Sequence, residues 1–183
     1  MRLIWDRSML EQLSVNATDI RTLTAQLGRT PRGVRAVLTR CRDGYPEVVL
    51  NSPLLSDEEP FPTVYWLTCP LLVKEIAVLE NEGWIARFQS MIEQDASSRE
   101  AFAGAQAAYR ESRKRMVAEI RALPAYAEEV LARVGIGGVA DLSKVKCLHA
   151  HYAHFLATGA NPIGEKLHEL IGETVCTEGC VVK

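Results

Sequence analysis

The chain has 183 residues, 48% of them hydrophobic and 24% charged, with a formal net charge of −2. That length and balance suit one well-buried core and exclude wholesale disorder. A charge so near neutral gives no global attraction to nucleic acid or an anionic membrane, and every apolar run falls well short of the roughly 20 residues of a spanning helix.

The N-terminus, Met1 to Asp6, meets charge again at once and lacks a signal-peptide apolar region, so the expected compartment is the cytoplasm. There Cys41, Cys69, Cys147, Cys176 and Cys180 stay mostly reduced. Metal ligation, catalysis or plain burial then suit them better than a disulfide framework.

A short helical piece is expected around Met9 to Leu13, then a helix from Ile20 to Leu27, capped by Thr18 or Asp19 and closed by Gly28. Three strand-like runs follow. The first, Gly33 to Arg42, alternates Val34, Ala36 and Leu38 against Arg35, Val37, Thr39 and Cys41. The second, Glu47 to Asn51, lies beyond the Asp43-Gly44 turn. The third, Thr63 to Thr68, follows a polar, proline-punctuated loop from Ser52 to Pro62.

After Cys69 the period becomes helical. Pro70 opens a helix with Leu71, Leu72, Ile76 and Leu79 on one side, and Gly83 closes it. Further helices are expected over Trp84–Gln94, from a Ser98 cap to Leu123, and from Pro124 to the Gly135-Ile136-Gly137-Gly138 turn. Another runs from a Ser143 cap through Lys144 to Ala157, and a short one follows Pro162. The cluster Arg110-Glu111-Ser112-Arg113-Lys114-Arg115 reads as a solvated face with intrahelical ion pairs. The whole pattern predicts an α+β fold in a single domain, with a small three-stranded antiparallel meander near the N-terminus packed against a mainly helical C-terminal two-thirds.

In such a meander, strand one ends near Cys41 and strand three ends at Cys69, both at the same edge, with strands about 4.8 Å apart. Cys147 can join them. On a helix that already includes Lys144, Cys147 and His151 share a stripe at i, i+4, while His149 faces another side unless the first turn is distorted. Cys41, Cys69 and Cys147 with His149 or His151 would suit zinc or an iron–sulfur cluster. Ordinary buried thiols and a catalytic Cys147 with a histidine base are the alternatives. Cys176 and Cys180, four apart in a tail over 172–183 expected to be mobile, are assigned no role.

From Arg21 to Arg42 there are six arginines (21, 29, 32, 35, 40 and 42) with no acid among residues 20–42. The turn from Gly28 to Gly33 presents Arg29 and Arg32, a candidate anion site for a phosphate-bearing small molecule or an RNA backbone. Pairing with acids such as Asp57, Glu58 and Glu59 is the plainer reading. No Walker loop, dinucleotide fingerprint or RNA-recognition aromatic motif is present.

Several of these motifs occur together in one order. They are Leu27-Gly28-Arg29-Thr30-Pro31-Arg32-Gly33-Val34, Arg40-Cys41, Pro60-Phe61-Pro62-Thr63-Val64-Tyr65-Trp66-Leu67-Thr68-Cys69-Pro70, Val145-Lys146-Cys147-Leu148-His149 and Asn161-Pro162-x-Gly164. Over residues 20–170 the chain resembles the bacterial family called "domain of unknown function 501"; residues 1–19 form an extension outside it. The resemblance implies a small cytoplasmic protein with no established activity. Family members encoded near exopolyphosphatase-type phosphatases and a cell-division protein hint at phosphate metabolism. Position by position it carries over Cys41, Cys69, Cys147, His149 and His154, but not the His151 that helical spacing favours, so the histidine ligand stays open between His149 and His151.

Overall fold

The computed structural model describes residues 13–55 and 58–172. Most of the Met9–Leu13 piece, Asp57, and the tail with Cys176 and Cys180 lie outside the described residues.

Helix α1 (Ala17–Leu27) starts three residues before the sequence pattern suggests. Asn16 is the cap: its side chain accepts from the Asp19 amide at 2.9 Å, and the Asp19 carboxylate accepts from the Asn16 amide at 3.2 Å. Asp19 is thus the far half of a capping box, not the cap itself. The same carboxylate takes two hydrogen bonds from Arg40, at 2.7 and 2.9 Å, which tie α1 to the sheet and hold the acid below its usual range.

The sheet is the expected antiparallel meander of β1 (Val34–Arg40), β2 (Pro46–Asn51) and β3 (Tyr65–Leu67), in that order. Leu23 of α1 covers Val37 and Val49 on one face, with Val15, Val34 and Trp66 around them. Ala36, Leu38, Val48, Leu50, Tyr65 and Leu67 turn the opposite face toward the helices. Strand β3 is shorter than its β-branched composition suggests. Its approach is held on both sides, the Val64 carbonyl accepting from the Asn51 amide of β2 at 2.8 Å and the Val64 amide donating to the Tyr109 hydroxyl at 2.9 Å.

The helical part comprises α2 (Pro70–Asn81), α3 (Trp84–Gln94), α4 (Ala96–Ala118), α5 (Ala125–Arg133), a 3-10 turn at Ile136–Gly138, α6 (Leu148–Thr158) and α7 (Pro162–Ile171). Helix α4 is capped by Asp95, whose side chain accepts from the Ser98 amide, so Ser98 is the third residue of the helix and not its cap. It ends five residues before Leu123, consistent with the bar that Pro124 places on helical geometry just ahead of it.

Helix α6 is central. Leu148, Ala150, Tyr152, Ala153 and Ala157 are buried, and so are His151 and His154. It begins at Leu148, four residues later than expected. Ser143 is drawn into a turn by Asp141, which accepts both its amide and its hydroxyl, and the Val145 amide donates to Gln89 at 2.9 Å. The amides of Ser143, Lys144 and Val145 thus find acceptors without a helix. Among the described residues, no helix is long and apolar enough to cross a membrane.

Candidate metal centre

The late start of α6 makes Cys147 its N-cap residue, in extended backbone (φ −119°, ψ 111°), instead of a position inside the helix. Its side chain does not cap. Glu80, near the end of α2, does so from a distance: its Oε1 accepts the Leu148 amide at 2.7 Å. A carboxylate at a helix N-terminus is favoured by the free amides and by the macrodipole.

The same carboxylate brings the site together. Oε1 of Glu80 lies 3.2 Å from His149 Nδ1, and Nε2 of that ring lies 3.1 Å from the Val73 carbonyl, two turns earlier on α2. Among the described residues, Glu80, Cys147 and His149 form a group whose ligand atoms all lie within 4.8 Å of one another. Gly137 makes room on the other side. It has φ +68°, and a Cβ there would stand 3.1 Å from Cys147 Cβ, so both conformation and space call for glycine.

Burial opposes a charge on His149. The Cys147 hydrogen bond, the Val73 carbonyl and the Glu80 charge outweigh it, and the ring is pushed up to about 9. Near neutral pH both ring nitrogens therefore carry protons, Nε2–H toward Val73 and Nδ1–H toward Glu80, and a metal would displace the Nδ1 proton to take the lone pair that then faces the thiol and the carboxylate. That is how metal-ligating histidines are usually oriented, by a carbonyl on the outer nitrogen. All three side chains are partly exposed, so the group is within reach of solvent.

The other expected ligands lie elsewhere. Cys41 follows β1 in the turn, its amide donating to Tyr45 and its carbonyl accepting from Gly44. Cys69 is the buried N-cap residue of α2. Both stand at the same end of the sheet, with β2 between their strands, but neither belongs to the Glu80 group. His151 is fully buried and turned away: its Nδ1 is 3.2 Å from the Asn161 side-chain nitrogen, which also lies 3.1 Å from His154 Nδ1. The shared stripe of Cys147 and His151 disappears with the missing helical turn, and that distortion is what admits His149.

Asn161 explains the Asn-Pro-x-Gly motif. Its Oδ1 accepts the Gly164 amide at 3.0 Å, which fixes the amide orientation and leaves Nδ2 to donate to both histidines. Pro162 fits the first turn of α7. At Gly164 a Cβ would lie 2.7 Å from the His151 carbonyl, so α6 and α7 touch backbone to backbone there.

Most arginines of the N-terminal segment are paired. Arg40 bonds Asp19, Arg35 bonds Glu119 at 3.0 Å, Arg32 reaches Glu59 at 3.4 Å and Arg42 lies 3.9 Å from Asp43. Arg29 and Arg32 line a shallow groove beside the stacked Phe61 and Trp66 rings, but its volume is only about 20 Å³. Glu80 was not legible beforehand, because it lies 67 residues from Cys147 and belongs to no motif with it.

No curated protein and no solved structure matches the chain. Residues 37–169, well over half of it and running from within β1 to within α7, match the family described as a protein of unknown function (DUF501). That stretch contains Cys41, Cys69, Cys147, His149 and the Asn161 motif, and the chain belongs to this family.

Proposed function

We propose that the protein binds one zinc ion through Cys147, His149 and Glu80, with a fourth position open to solvent or substrate. The observation that carries this reading is the convergence of thiol, imidazole and carboxylate within 4.8 Å, with His149 held by Val73 from behind. Zinc takes such mixed donors at about 2.0 to 2.3 Å, so the three groups need close by only about an ångström. A single thiolate favours a mononuclear ion over an iron–sulfur cluster, which usually takes four cysteines.

Three protein ligands with an open position are the pattern of catalytic zinc, where the ion polarises a carbonyl or phosphoryl oxygen or acidifies bound water. In that setting Glu80 would hold the ligand shell while still tied to the α6 amide.

Elemental analysis of protein purified without an affinity tag tests the assignment. About one zinc per chain is expected, falling severalfold in Cys147→Ser and His149→Ala. Less than about 0.1 zinc per chain in the parent protein, after anaerobic preparation and zinc reconstitution, rules the site out. The Cys41→Ser variant should keep its metal.

A further inference from the structure

The seam between α4 and α5 holds a cavity of about 450 Å³, remote in sequence from the Cys147 group. That volume is within the usual range for small-molecule sites. Its wall comes from the arginine-rich stretch expected to be a solvated face. Arg115 and Glu111 do pair along the helix at 2.9 Å, but Arg113 is 1% exposed. Arg113 Nε donates to the Leu131 carbonyl at 3.0 Å, Nη1 to Pro62 at 3.0 Å, and Nη2 to Val134. Arg110 Nη2 donates to Ala132 at 2.7 Å.

The Leu131, Ala132 and Val134 carbonyls belong to the C-terminal end of α5, which carries only about half a negative charge. Two guanidinium groups therefore outweigh it. No carboxylate pairs with Arg113 among the described residues. The Nε–H of Arg110, also in the cavity wall, is buried without an acceptor. Lys114 adds a third cation. Of the two acids in the wall, Glu111 is taken by Arg115 and Glu128 is exposed at the rim. Val117, Leu131 and two alanines make the remainder aliphatic. A buried cation and an unmet donor beside the cavity are costly unless something supplies oxygen and negative charge.

We propose that this cavity binds a small anionic molecule, a phosphate or carboxylate on a short apolar body, with its oxygens on Arg110 and Lys114 beside Arg113 and its apolar part against Val117 and Leu131. Calorimetric titration of the full chain with hexyl phosphate, hexanoate, hexylammonium and inorganic phosphate tests it. Saturable binding of hexyl phosphate or hexanoate, at about millimolar Kd or tighter, is expected; the tighter of the two identifies the head group.

Arg110→Gln should weaken that binding about tenfold, and Val117→Trp, which fills the space and keeps the charges, should abolish it. If thermal melts show either variant unfolded, Lys114→Gln on an exposed side chain decides, with a loss of about threefold expected. Failure of both anions to bind overturns the proposal. So does equal binding of hexylammonium, inorganic phosphate as tight as hexyl phosphate, or undiminished affinity in the folded variants.

Discussion

His154 lies flat against Tyr65, with ring centroids 5.4 Å apart, and edge-on to Tyr109 at 5.2 Å. Its Nδ1 accepts from Asn161, so the neutral ring carries its proton on Nε2. Burial, reinforced by His151, depresses it to about 3, and burial depresses His151 to about 4 despite Asn161. In the unfolded chain both take up a proton near pH 6.5, so the unfolded state binds more protons below that point. Their contribution to stability is complete above about pH 6.5. It falls as the pH drops toward 4 and then 3, at up to about 1.4 kcal/mol per unit for each ring. Urea unfolding across that range should show the slope, and His154→Phe should remove about half of it. The same variant should lose about 1 to 3 kcal/mol near neutral pH, because one Asn161 N–H is left without its acceptor.

Among the elements, α1 shows how far local chemistry reaches and where it stops. Its end at Gly28 was readable, since the residue adopts the left-handed conformation there (φ +66°). Its start is not decided locally, since Thr18 and Asp19 are good cap residues taken alone. Only the reciprocal pair with Asn16, and the Arg40 contact across 21 residues, decides between them. Asn16→Ala should therefore cost about 1 kcal/mol in thermal or urea denaturation, by baring the Asp19 amide. Helix α6 repeats the lesson. Ser143 resembles a cap, but its donors belong to Asp141, and the cap that operates is a side chain from another helix.

At the scale of the whole molecule, the meander and the order of helices were legible because they rest on period and turn chemistry, which act over a few residues. The predicted placement of Cys41 and Cys69 at one end of the sheet followed from the same topology. What the sequence did not disclose is which partner each helix presents to the next. Glu80 meets Cys147 only because α2 packs beside α6, and Arg113 is buried only because α5 folds back over α4. Such contacts join residues many positions apart, and a charged residue's name does not reveal whether carbonyls or water will surround it. One displaced helix boundary puts His149, and not His151, beside Cys147 and Glu80.

The dual use of Glu80 has a consequence for the order in which the protein would come apart. Its Oε1 is both the anchor of the first α6 amide and the oxygen nearest His149, and α6 supplies Leu148, Tyr152 and Ala153 to the main hydrophobic cluster. An ion drawn into this group would be fastened to the seam on which that cluster closes. Its release and the loosening of the core then become one cooperative event, observable as a melting temperature that rises with free zinc concentration.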